Sequence, residues 1–102
     1  MTTYFITRHI GALDWAGENG VHFDVHLSHL LDFDELKSGD VIIGTLPVNI
    51  ISQINELGVH YIHLSLTIPP HLRGVELTAE QLDECQATLE EFYVKKLAKI
   101  IT

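Results

Sequence analysis

The sequence predicts an α/β fold in three layers, a mostly parallel four-stranded sheet with helices on both faces. Three observations predict it. Short runs rich in β-branched and aromatic residues alternate with stretches of helical periodicity. One of those runs, Val41-Ile42-Ile43, is apolar without a break, as in strands covered on both faces. A length of 102 residues, 46% of them hydrophobic, suits one domain over 1–102 with a packed core and leaves no room for two.

The elements follow in order. Thr3 to Thr7 reads as the first strand, and Arg8-His9 leave it directly. Gly11 to Glu18 reads as a short helix stopped by Asn19-Gly20. Val21 to Leu27 alternates apolar and polar residues, the period of a half-buried strand at a sheet edge. Ser28 to Gly39 is connection, and Asp40 to Gly44 carries the third strand. Pro47 fits the first position of a helix over Val48 to Leu57, where its missing N–H costs nothing, and Gly58 stops that helix. Val59 to Ile68 is the fourth strand, ended by Pro69-Pro70. Thr78 and Gln81 form a capping box. From it a last helix is expected to run to about Ile100, with Leu82, Cys85, Leu89, Phe92 and Leu97 on one stripe.

Charge narrows the function. Six Lys plus Arg stand against 14 Asp plus Glu, a formal charge of -8. Such a chain is a poor binder of long DNA or RNA, which needs many cations on one face. It can hold a small anion if its few cations converge. One cysteine excludes an internal disulfide and a cysteine-rich zinc site. No apolar run approaches the roughly 20 residues of a membrane span. The first residues lack the pattern of a secretion signal, so a cytoplasmic protein is expected.

In open α/β sheets, ligands gather beyond the carboxyl ends of the strands, where strand order reverses. Arg8-His9 leave the first strand. Gly44-Thr45-Leu46-Pro47 leave the third and open a helix whose N-terminal N–H groups suit a phosphate. If these strands are neighbours, the two segments converge. Arg8 and Arg73 are the only arginines. Their planar forks fit phosphate oxygens, though each could equally pair with a nearby carboxylate.

Other residues weigh less. His22, Asp24 and His26 share one strand face at a spacing a metal could use, but read better as the polar face of an edge strand. Ser65 lacks the glycine-flanked elbow of a nucleophile and reads as a structural hydroxyl. Cys85 sits on an apolar stripe and reads as buried. Trp15 can stack on a base, although a single Trp in a small domain is more often core. There is no Walker sequence and no dinucleotide fingerprint, and no cofactor is expected.

The stretch Tyr4-Phe5-Ile6-Thr7-Arg8-His9-Ile10-Gly11-Ala12-Leu13-Asp14-Trp15-Ala16 resembles the opening of a small family of CRISPR-associated accessory proteins from type III loci. Gly44-Thr45-Leu46-Pro47-Val48, His63-Leu64-Ser65-Leu66 and Arg73-Gly74-Val75-Glu76-Leu77 agree in the same order over most of the chain. Ile10 departs from the pattern, where the family leads one to expect proline. The change alters the turn rather than the charged groups beside it.

That family is similar to ring nucleases with a Rossmann-like, CARF-like fold. The resemblance implies cleavage of cyclic oligoadenylate, above all cyclic tetra-adenylate, to linear products, which would switch off an antiviral signal. It also implies a homodimer with the ring across its two-fold axis. On that footing Arg8 and His9 are the expected catalytic residues. Gly11, Trp15, Thr45, Leu46, Pro47, Asn49, Ser65 and Arg73 are the expected substrate-binding set. No metal is expected, because the substrate's ribose 2′-OH is its own nucleophile. Two other classes stay open: a sensor or sponge that binds the ring uncut, and a structural subunit docking through its final helix near Val94 or Ile101.

Overall fold

A computed structural model describes residues 1–30 and 32–102. The elements are β1 (Thr3–Ile6), α1 (Ile10–Glu18), β2 (Val25–Leu27), β3 (Val41–Gly44), α2 (Val48–Glu56), β4 (His60–Ser65), a 3₁₀ turn (Pro70–Leu72), α3 (Ala79–Glu84) and β5 (Thr88–Phe92). They build one sheet in the order β2-β1-β3-β4-β5. The first four strands are parallel, and β5 runs antiparallel to β4. The expected α/β class is met by a small Rossmann-like sheet. The expected connection over Ser28–Gly39 includes Leu31, which lies outside the described residues.

Strand periodicity divides the core. Phe5, Ile43 and Leu64 pack with Ala12, Trp15 and Ala16 of α1 and Leu82 of α3. Their neighbours Ile6, Ile42 and Tyr61 pack on the other side with Ile51 and Ile54 of α2. Each fully buried side chain of this size stabilises by about 1.5–3 kcal/mol, so both faces hold their helices firmly.

The sheet has five strands rather than four, and the long last helix is corrected. The capping box forms as expected, with Gln81 N–H donating to Thr78 Oγ1 and Thr78 N–H to Gln81 Oε1. The helix nevertheless stops at Glu84. Gln86 takes a left-handed φ of 60°, Ala87 N–H donates to Leu82 O at 3.0 Å, and Gln86 N–H donates to Asp83 O at 3.0 Å. This is a Schellman stop built on a residue other than glycine. The chain then pairs with β4, Leu89 opposite Leu64, and covers an edge that would otherwise expose unpaired backbone groups. Residues 93–102 form neither helix nor strand, and Leu97, Ile100 and Ile101 are exposed. The docking helix has no counterpart here, since Val94 packs against the α2-side core.

Two strands are shorter than expected. Of Val21–Leu27 only Val25–Leu27 is strand, because Asp24 closes on Thr3: its N–H donates to Thr3 O and its carboxylate accepts from Thr3 N–H, both at 2.8 Å. β4 ends at Ser65, since Thr67 N–H turns away to Cys85 O.

Polar side chains stitch the amino end of the sheet. Buried Asp40 accepts from Thr2 N–H and Lys37 N–H, both at 2.9 Å. Those backbone donors, Thr2 first, hold its carboxyl below the usual carboxylate range. Buried Asn55 donates to Val59 O at 2.9 Å and accepts from Val94 N–H at 2.8 Å, fastening the chain beyond β5. No helix among the described residues is long and apolar enough to cross a membrane.

Candidate functional site

β1 and β3 are neighbours, with Phe5 beside Ile43. Their carboxyl ends therefore release Thr7-Arg8-His9 and Gly44-Thr45-Leu46-Pro47 side by side. From there the connections part. β1 leads through α1 to β2 on one side, and β3 leads through α2 to β4 on the other. Because α1 and α2 lie on opposite faces, a cleft opens between the departing loops, as at the switch point of doubly wound sheets. Gly44 lets the strands approach, since a Cβ there would stand 3.0 Å from Ile6 O.

Local hydrogen bonds shape the first loop. Thr7 N–H donates to Leu27 O at 3.0 Å, and His9 N–H donates to Thr7 Oγ1 at 3.1 Å. Arg8 sits at the bend between them, exposed. His9 is the N-cap of α1 with extended backbone and no side-chain capping bond. Its imidazole is therefore not spent on the helix. Among the described residues the ion pairs are His22–Asp24 and His60–Glu91, so neither Arg8 nor Arg73 is held by a carboxylate there.

The second loop is clamped from below. Tyr61 Oη donates to Gly44 O and accepts from Leu46 N–H, both at 2.9 Å. His63 Nδ1 lies 2.7 Å from the same hydroxyl, a third polar contact of the clamp. Burial pushes the Tyr61 phenol above its ordinary range, which keeps the donor protonated. Pro47 then opens α2, and its carbonyl accepts from Ile50 and Ile51 N–H at 3.0 Å. The N–H groups of Val48 and Asn49 precede any intrahelical acceptor and point out of the helix end.

Two cavities flank this rim. One, of about 580 Å³, lies on the α1/α3 face between walls such as Phe5, Leu64, Leu66 and Ile68. The other, of about 400 Å³, lies on the α2 side against Leu30, Leu46, Pro47 and Ile50, with Ser28 and His29 on its outer wall. Arg8, His9 and Thr45 line both. A cation, an imidazole and a hydroxyl thus stand on the ridge between an apolar and a more polar hollow. They suit a phosphate on the ridge with its attached groups on either side.

Not every expected residue joins them. Leu46 and Pro47 line the polar cavity. Gly11 acts structurally: a Cβ there would fall on the Leu77 carbonyl, so glycine lets α1 lie against the Leu77–Thr78 backbone. Trp15 is corrected to core, 4% exposed, with Nε1–H donating to Asp83 Oδ1 at 2.9 Å, and it cannot stack on a base. Ser65 lines neither cavity, because Leu64 and Leu66 take the cavity side and strand alternation turns Ser65 away. Asn49 is exposed on the first turn of α2, outside both cavities. Arg73 is exposed beside Leu72 and Gly74, which do line the apolar cavity, while Arg73 itself does not.

The histidine-rich strand face resolves into separate bonds. His26 Nε2–H donates to Thr7 O at 2.8 Å, and Asp24 serves Thr3. Among the described residues no three His, Cys, Asp or Glu side chains stand together as a metal group. Cys85 is buried, as expected. Sequence reasoning missed the Tyr61 clamp, the His29 wall and the cavity wall from Leu66 to Leu77. The one available signal was Tyr61 and His63 sharing a strand face.

These features define a small Rossmann-like α/β protein, with polar groups gathered at the switch point of a parallel sheet. The chain belongs to the family described as "Putative CRISPR-associated protein (Cas_VVA1548)", whose profile matches residues 4–95. No curated protein and no solved structure matches the chain.

Proposed function

We propose that the protein is a ring nuclease that opens cyclic oligoadenylate, cyclic tetra-adenylate above all, and so ends type III CRISPR signalling in the cytoplasm. The observation that carries this reading is the Arg8 guanidinium, without a carboxylate partner among the described residues, beside His9 and Thr45 on the ridge, in a molecule of charge -8. An exposed arginine among open polar groups in an acidic body suits a compact phosphodiester better than a long nucleic acid.

The chemistry follows from the substrate. A ribose O2′ attacks the adjacent phosphorus as the P–O5′ bond breaks. The product end is a 2′,3′-cyclic phosphate, and the other end is a 5′-hydroxyl. The O2′ proton leaves to a base, and a proton is returned to O5′. Arg8 holds the phosphate and stabilises the added charge, worth about 10²–10³-fold for a well-aimed donor. His9 moves the proton or orients the ribose. Thr45 and the opening of α2 hold a second phosphate or ribose oxygen. The nucleophile belongs to the ring, so this route asks for no metal. A homodimer would double each donor, four arginines for four phosphates, and would let Arg73 reach across from the partner.

The test is incubation of purified protein with cyclic tetra-adenylate in chelator, with products identified by mass. Linear product with a cyclic phosphate end is expected. Tight binding with full recovery of the ring would make the protein a sponge instead. Cleavage that returns only when divalent cation is restored would overturn the metal-free route.

A further inference from the structure

We infer that the apolar cavity on the α1/α3 face is a nucleobase site that takes adenine, and that Glu76 reads the exocyclic amine of the base. The inference rests on the ring-nuclease reading for the phosphate at the rim, while the base site stands on the cavity itself.

The volume of about 580 Å³ falls within the range of small-molecule sites, about 300–1,000 Å³. The deep walls are aliphatic and aromatic, including Phe5, Leu64, Leu66, Ile68 and Leu72. Such walls suit the two apolar faces of a flat ring. The phosphate-type groups stand only at the mouth, where Arg8, His9 and Thr45 are shared with the second cavity. A nucleotide anchored by its phosphate on that ridge would send its base inward.

Among the described residues, Glu76 is the only carboxylate lining the cavity. It has no ion-pair partner among the described residues. An acid in the cavity wall does not favour the phosphate, so its presence calls for a donor elsewhere on the ligand. A carboxylate only accepts hydrogen bonds, and it therefore favours a base edge that carries an amine. Adenine presents N6–H₂ there. Inosine, with the same ring shape, and uracil present a carbonyl at that exocyclic position, and their donor on this edge is the ring N–H beside it.

The backbone supports the placement. Leu77 is buried and pinned by the close approach of Gly11, whereas Arg73 to Glu76 are exposed. Gly74 turns the chain with a φ of +77°. Glu76 is thus held one residue from a fixed point, at the free edge of the wall.

Methyl-labelled protein should be titrated with 5′-AMP, 5′-IMP, 5′-UMP and cyclic tetra-adenylate while the Leu64, Leu66, Ile68 and Val75 methyls are followed. AMP and the ring are expected to shift these methyls saturably, and IMP to bind about tenfold more weakly than AMP, the cost of setting a carbonyl in place of the amine against a charged acceptor. Glu76→Ala should bring AMP and IMP within about twofold of each other. Val75→Trp, at an exposed wall position, should fill the cavity and block AMP with the melting temperature unchanged. Equal response to AMP and IMP in the wild type overturns the role of Glu76. Cleavage of the ring with these methyls silent overturns the base site and leaves the nuclease reading intact. AMP filling the cavity while the ring is never cut does the reverse. Silence towards all four ligands with the ring left uncut overturns both.

Discussion

At the amino end of the parallel strands, Asp40 gathers the N–H groups of Thr2 and Lys37, and Asp24 closes on Thr3. At the carboxyl end, Arg8, His9 and Thr45 stand exposed, with the Tyr61 hydroxyl as the clamp beneath the second loop. The same strands, four or six residues long, separate the two ends. One end commits its polar side chains to the backbone and contributes rigidity. The other keeps them uncommitted, which costs stability and leaves donors for a ligand.

That contrast can be broken or sharpened by substitution. The largest effect is expected from Arg8→Ala. Ring opening should fall about 10³-fold, read as turnover, while the melting temperature holds because no protein partner is lost. A parallel drop in thermal stability would mean that Arg8 is structural after all. Gly11→Ala should come next, destabilising by about 3 kcal/mol in denaturant unfolding, since backbone has to move away from the new methyl.

Asp40→Ala should cost about 2 kcal/mol by stranding two N–H donors, with ring opening per folded molecule unchanged. The pH dependence has a fixed sign. The folded-state pKa of Asp40 lies below its ordinary 3.8, so the contribution is complete above about pH 4 and is lost as pH falls through the lower folded value. Wild type should therefore lose stability on acidification in that window, and Asp40→Ala should show a shallower loss. Tyr61→Phe should have the smallest effect, about 1 kcal/mol in stability. Its turnover should fall severalfold as the 44–47 segment loosens. Unchanged turnover would show that the clamp is dispensable for the site.

Much of the carboxyl end was legible because it depends on local rules. The Val41-Ile42-Ile43 run marked an interior strand, Pro47 marked the start of α2, and parallel strands bring their ends together. The C-terminal third was less legible. Leu82, Cys85, Leu89 and Phe92 are spaced as a helical stripe, and nothing local marks Gln86 as left-handed, a conformation usually given to glycine. Pairing with β4 decided against the helix, and that partner lies more than 20 residues earlier. Ser65 shows a different limit. Its face with Tyr61 and His63 was readable from alternation, but which face opens on the apolar cavity depends on where α1 and α3 settle. Trp15 and Glu76 illustrate the same point in opposite directions, one drawn into the core by Asp83 and the other left on the cavity wall.

The reversed direction of β5 has a practical consequence. Thr3 aligns with Val41, Val41 with His60, and Phe92 with Tyr61, so the first strand begins and the last strand finishes along one border of the sheet. That border lies opposite the rim of Arg8, His9 and Thr45. An affinity handle, fluorophore or biosensor anchor joined ahead of Thr3 would start from the rear, and protein captured on a chip by such a handle would present that rim to the flowing analyte.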